Sequence, residues 1–343
     1  MCIRDRGLVG QTIVLGGVIA SIAIWSTGQT RFKEQIALID SSFRARFSKV
    51  IGFGIIAVFA SNFIMLAVQT WRLEVSPFDV IQTTFGSTWL TRMILTIILI
   101  GIWFWIERKN QISFKTQLPM LVFALALIAT TTMMGHGAST EMAPPIILDY
   151  VHNLLSSIWI GGVIFLGFVI LPSITKLDAN VRDKITISLI PRFSGMIIIS
   201  LGILIITGPM LLWFLDSNVS SLTESTYGKL IMLKIAIASA MIAFGGFYQI
   251  RFTQQAKKDL KSTAIFKKLK KPLRFEAGLG IALLAVVALL VNSSLPAGEI
   301  QSVSAEQGIS GYEASLFSEN ARFDVTILPV GIGANQILSL IHI

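Results

Sequence analysis

Eight stretches of this chain are each long and apolar enough to cross a lipid bilayer, and nothing else in its 343 residues constrains the fold as strongly. They run roughly over 7–25, 48–70, 89–106, 118–135, 149–171, 193–215, 227–249 and 275–295. About 20 apolar residues span a hydrocarbon core roughly 30 Å thick. In lipid each backbone N–H and C=O needs an internal partner, which a helix supplies within its own segment. Composition agrees: 53% of residues are hydrophobic and 14% charged, with a mean hydropathy of +0.73. The expected fold class is all-α, a polytopic membrane protein with about eight transmembrane helices.

The formal charge of +9 is arranged as a membrane protein arranges it, not as a nucleic-acid binder does. The first connection between spans carries Arg31, Lys33, Arg44, Arg46 and Lys49. The third carries Arg108, Lys109 and Lys115, and the fifth Lys176, Arg182, Lys184 and Arg192. The seventh carries nine basic residues, from Arg251 to Arg274. The even connections hold Glu74, Asp79, Glu141, Asp216 and Glu224 instead. Lys and Arg are retained on the cytoplasmic side. The odd connections are therefore expected to be cytoplasmic and both termini extracytoplasmic, in the cell (plasma) membrane. The expected partners include membrane lipid and exclude nucleic acid.

The two halves resemble each other. Gly16–Ile19 and Gly161–Ile164 both read GGVI. Arg46–Ser48 and Arg192–Ser194 both read RFS, and Ser87-Thr88-Trp89 has a counterpart in Ser225-Thr226-Tyr227. The order is the same and the offsets are close, so two parallel four-helix repeats are expected, related by an axis along the membrane normal. The glycine pairs Gly16-Gly17, Gly161-Gly162 and Gly245-Gly246 are read as packing points, where small residues let helices approach. The expected division is 7–135 for the first repeat and 136–296 for the second, which carries an outer metal site.

The opening MCIRDR (1–6) and the closing SLIHI (339–343) look like translated sequencing adapters and are set aside, with Cys2 and His342. After Pro296 the chain turns polar and acidic. Arg322–Val330 then alternates like an exposed strand. Residues 297–338 are expected to be an extracytoplasmic tail, the start of a truncated β-domain.

The chemistry concentrates in Met133–Gly162, MMGHGASTEMAPPIILDYVHNLLSSIWIGG. It joins the fourth and fifth spans on the expected outer side. His136 ends one helix and His152 lies about a turn inside the next. Asp149 precedes His152 by three residues, which puts both on one helix face. A histidine just inside a membrane helix points to function; its structural alternative is an interfacial ring bonded to a loop carbonyl. Met133, Met134 and Met142 add thioethers. Soft thioethers with imidazole favour copper, Cu(I) above all. Zinc favours thiolate, more histidine or carboxylate, and the only cysteine is Cys2. The candidate metal ligands are thus His136, His152, Met133, Met134, Met142 and Asp149, with copper (Cu+ or Cu2+) as the transported ion.

Lys234 lies about two turns into the seventh span, where a lysine either snorkels outward or lines a wet cavity and tunes it against Asp149 or Asp216. Glu276 reads as a structural ion-pair partner for Arg192 or Arg251. No phosphate-binding glycine loop, catalytic triad or paired catalytic carboxylates occur, so the chain reads as no enzyme and no ATP-driven pump.

GHGAST, followed by DYVHNLLSSIWIGGVIFLG, resembles the copper resistance protein D membrane domain. In that family a Gly-His pair ends one helix, and a histidine shortly before Trp-x-Gly-Gly opens the next. RFSGMIIISLGILIITGP and STYGKLIMLKIAIASAMIAFGGFYQIR resemble its two following helices. The likeness is best over roughly 120–296. It implies an eight-helix copper transporter, often joined to an extracytoplasmic copper-binding β-domain or served by a chaperone. At the position of His152 the first half has Gly7. The alternatives are a haem-binding membrane electron-transfer protein, because two histidines on neighbouring helices can ligate haem, and a scaffold for assembling copper proteins.

Overall fold

The computed structural model describes residues 4–25, 32–135, 143–215, 223, 225–258, 265–292, 312–318, 321–328 and 336–342. Eight of the helices among them are long and apolar enough to cross a membrane, so the chain is a multi-pass membrane protein. α1 (Arg4–Ala20) ends in a π-helical turn at Ser21–Trp25. The short α2 (Lys33–Ala37) leads into α3 (Asp40–Leu73). After α4 (Pro77–Ile81) come α5 (Thr84–Lys109) and α6 (Phe114–Met133). α7 (Ala143–Phe165) continues through a π-helical turn at Leu166–Ile170, so that its span reaches Lys176. α8 (Ala179–Leu215), α9 (Thr226–Lys258) and α10 (Ile265–Asn292) complete the spans.

The eight spans fall where the apolar runs place them, but several helices continue past the lipid-sized segment. α3 begins at Asp40, eight residues before the expected start at 48, with an Asp40–Arg44 pair of 3.1 Å in its first turn. Helix ends follow local rules. Ser113 caps α6 by accepting from Thr116 N–H while the Thr116 hydroxyl accepts from Ser113 N–H. Ser76 and Asp79 do the same for α4. Glu74 and Asn110 take left-handed φ of 54° where α3 and α5 stop.

α1 is the centre of the bundle, packing on α3, α6, α7 and α10. Its contact with α7 is made backbone to backbone. A methyl group on Gly16 would meet the Ser157 carbonyl and stand 2.6 Å from Gly161 Cα. One on Gly161 would meet the Thr12 carbonyl and stand 2.8 Å from Gly16 Cα. The Thr12 and Ser157 hydroxyls lie 3.4 Å apart across the same seam. Towards the other end, Trp25 stacks on Phe43 at 4.0 Å, and Phe43 and Phe47 meet Phe165 edge to face. Of the glycine pairs, Gly162 packs against Met196, and Gly245 against the Glu276 carboxylate; Gly246 has nothing within 4 Å. The pairing expected of Gly246 is therefore replaced by an open helix face.

The basic connections meet in pairs. Arg44 donates to the Asn110 carbonyl, joining the first and third. Phe266 N–H donates to Asp183 Oδ1 at 3.0 Å, and Arg182 lies over the Phe266 ring, joining the fifth and seventh. Beyond the helices, β1 (Tyr312–Ser318), β2 (Ala321–Leu328) and β3 (Gln336–His342) form an antiparallel sheet in that order. Ser318 pairs with Ala321 and Leu328 with Gln336.

Replacing Gly161 with Val should force α1 and α7 apart and cost about 1–3 kcal/mol, as overpacking does. A lower melting temperature in detergent would register it. Gly246→Ala, with open space around it, should leave that temperature unchanged or raise it, alanine being worth up to ~1 kcal/mol over glycine in a helix.

Candidate metal site

α7 presents Asp149, His152, Asn153 and Ser157 within little more than two turns of helix. The Asn153 amide donates to Asp149 Oδ2 at 3.0 Å. The same Oδ2 faces the end of α6, where a methyl on Gly135 would come within 3.5 Å of it. His152 points at α8: its Nδ1 lies 3.0 Å from Thr207 Oγ1, and a methyl on Gly208 would stand 3.7 Å from its Cε1. The Thr207 hydroxyl donates to Leu204 O at 3.4 Å. In the Nδ1-protonated tautomer Thr207 Oγ1 accepts from Nδ1–H and Nε2 carries the lone pair, the arrangement a metal-binding imidazole needs. Lys234, half-buried on α9, acts electrostatically on both Asp149 and His152. One imidazole, one carboxylate and one ammonium thus share one end of the bundle.

The remaining candidates divide. His136 and Met142 lie outside the described residues. Met133 is 56% exposed on the bundle surface. Met134 lines a small cavity of about 50 Å³ with Met65, Ser61, Arg92 and Thr131. Among the described residues no three His, Cys, Asp or Glu side chains group closely enough to hold a metal. Asp149 and His152 lie one turn apart on α7, the carboxylate beside Gly135 and the imidazole beside Thr207.

Residues 8–146 match the copper resistance protein D-like N-terminal domain, and residues 187–290 match copper resistance protein D. The chain belongs to the copper resistance protein D family. It is 25% identical over 217 residues to copper transport protein CutJ of Bacillus subtilis (strain 168), covering 63% of this chain and 37% of that protein. It is 26% identical over 168 residues to copper resistance protein D of Pseudomonas syringae pv. tomato, covering 48% of this chain and 52% of that one. The chain thus spans between about a third and a half of the curated relatives it matches. No solved structure matches it. Family membership attaches a copper-related role to the bundle.

Two polar features escaped the sequence reading. Thr207 is one: its hydroxyl sits in an apolar run 55 residues from His152, and nothing local marks it as the partner. Arg92 is the other. It is 5% exposed, in the midst of an apolar span. Its guanidinium donates to Asn62 Oδ1 at 2.9 Å, Thr131 Oγ1 at 2.7 Å, Thr130 Oγ1 at 3.1 Å and Gln11 Oε1 at 3.3 Å. A charge inside a membrane span is costly enough to signal a role, and TRMILTIILIG displays that signal openly.

Thr207→Val keeps the shape and removes the hydroxyl that orients His152. It should weaken copper binding about 10–100-fold in a competition titration, as loss of an orienting partner does. Thr207→Ser should retain it.

Proposed function

We propose that the protein moves copper across the cell membrane without ATP, capturing the ion at the extracytoplasmic end of the bundle. The observation that carries this reading is the His152–Thr207 pair. An imidazole inside a membrane span is held by a neighbouring helix, one turn from a carboxylate, in a family named for copper resistance. CutJ is named a copper transport protein, and the same verb suits a bundle with no nucleotide-binding loop.

On this reading His136, Met133, Met134 and Met142 join His152 and Asp149 as ligands around the turn between α6 and α7. Thioethers and imidazoles hold Cu(I) well but release it readily, as a permeation path requires. Lys234 balances the Asp149 carboxylate until the cation arrives. No described residue favours the haem or scaffold alternatives over this one.

The orientation is part of the proposal. The paired basic connections are cytoplasmic, and the His152 end and the strands from Tyr312 onward are extracytoplasmic. Two parallel repeats are part of it as well. Two reciprocal contacts and one shared offset support them. Gly16 and Gly161 occupy equivalent places and touch each other. Thr12 and Ser157, offset by the same 145 residues, also touch. The π-helical turns at Ser21–Trp25 and Leu166–Ile170 share that offset too. Residue i meeting j while j meets i is what a two-fold axis produces.

His152→Ala should abolish copper-dependent accumulation in cells while membrane insertion stays at the parental level; undiminished accumulation would refute the assignment. For the orientation, Ser76→Cys in a Cys2→Ser background should react with an impermeant maleimide added to intact cells. Gln111→Cys should react only after permeabilisation.

A further inference from the structure

The polar cluster around Arg92 stands, in the first half, where the His152 cluster stands in the second. By the spacing of the matching motifs, Gly7 corresponds to His152 and Ser61 to Thr207. In the second half the imidazole meets the threonine hydroxyl. In the first half that space is taken: a methyl on Gly7 would stand 2.5 Å from Ser61 Oγ and 3.2 Å from Arg92 Nη2. The guanidinium that fills it is tied down. It donates to Asn62 of α3, to Gln11 of α1, and to Thr130 and Thr131 of α6. The Leu127 carbonyl of α6 lies 3.4 Å from Nη1 as well. A guanidinium presents its donors in a rigid fork, which a lysine does not. α1, α3, α5 and α6 are thereby pinned at one point.

Of the pinned helices, α6 leads to the second half. Thr131 is held twice, accepting from Arg92 at 2.7 Å and donating to Gln11 Oε1 at 2.7 Å. Successive residues on a helix point about 100° apart. Holding Thr130 and Thr131 on one side therefore sets where Thr132 points on another. Thr132 is 1% exposed, and its hydroxyl acts on the Asp149 carboxylate. The bonds that end the helix carry the constraint onward. Met134 N–H donates to the Thr130 and Thr131 carbonyls, and Gly135 N–H to that of Thr132. A methyl on Gly135 would in turn stand 3.5 Å from Asp149 Oδ2. The contacts run without a break from Arg92 in the first half to Asp149 in the second.

We propose that Arg92 is a positioning residue for copper capture: by pinning Thr130 and Thr131 it sets the end of α6, with Thr132 and Gly135, against the Asp149 carboxylate. It touches no ion itself. The role rests on the copper reading and deepens it, because one half of the bundle then serves as the fixed frame for the site in the other.

Cu(I) affinity and amide hydrogen exchange, both measured on the purified full chain in detergent, test this together. Affinity is read by competition with a chromophoric Cu(I) chelator, and His152→Ala defines the share that belongs to the site. Arg92→Met keeps the reach of the side chain and removes its donors. It should weaken that binding about 10-fold, as loss of an orienting partner does, and so should Thr132→Val. The two together should do no more than either alone, because contacts in one chain are not additive. Thr131→Val, a smaller change, should act in the same direction. In metal-free protein, Arg92→Met should speed exchange in the last turn of α6. Trp103→Phe supplies the purely structural comparison. It removes the indole donor to Ser48 between α5 and α3, and should lower the melting temperature while changing neither the affinity nor exchange at that turn. Parental affinity in Arg92→Met, losses that multiply in the double variant, or an equal loss in Trp103→Phe would each overturn the proposal. Unchanged exchange in Arg92→Met would overturn it whatever copper does. Copper binding indifferent to His152 would instead refute the site reading, with exchange still deciding whether Arg92 holds α6.

Discussion

The backbone contact between Gly16 and Gly161 is the constraint on which the rest of the bundle depends. In lipid no hydrophobic driving force pulls apolar helices together, so helices associate by close packing and by polar contacts between them. Two glycines facing each other allow the closest packing available. They seat α7 directly on α1, with the Thr12 and Ser157 hydroxyls beside them. Everything that carries chemistry is referred to this seam. His152 and Asp149 lie one to three turns along α7 from it. On α1, Gln11 is one residue from Thr12 and reaches Arg92 and Thr131. A wider seam would shift His152 against Thr207 and Gln11 against Arg92 together.

Much of the fold was legible in the sequence because lipid leaves few choices. A run of some 20 apolar residues must be a helix, and eight such runs give eight spans. Basic residues in alternate connections mark one side of the bundle, and the contacts of Arg44 with Asn110 and of Asp183 with Phe266 bring those connections together in pairs. What was not legible is which face of each helix turns inward. Gly245-Gly246 looks like Gly161-Gly162 in the sequence, yet Gly246 meets nothing. Exposure is decided by neighbours far along the chain, and an all-apolar helix carries no stripe to announce them.

The candidate site was legible only as a spacing. Asp149 and His152 share a face by simple helical spacing, and the structure adds Asn153 and Thr207 as the groups that hold them. Those partners were invisible because a threonine in a membrane helix usually bonds back to its own helix, as Thr207 also does to Leu204. Arg92 was overlooked for a different reason. Averaged over a span, one arginine among leucines and isoleucines barely lowers the hydropathy. Taken alone it is the most expensive residue in the segment, and four acceptors on three other helices are spent on it. The two halves therefore differ at one end of the bundle: an imidazole and a carboxylate in one, a guanidinium among hydroxyls and thioethers in the other.

The copper account stands or falls on whether a metal ion binds at the imidazole that Thr207 orients. Anomalous diffraction at the copper absorption edge, from crystals of the intact protein grown with Cu(I), locates the ion directly. The account predicts a peak within bonding distance of His152 Nε2. Copper peaks elsewhere in the bundle, with none at that nitrogen, would contradict it.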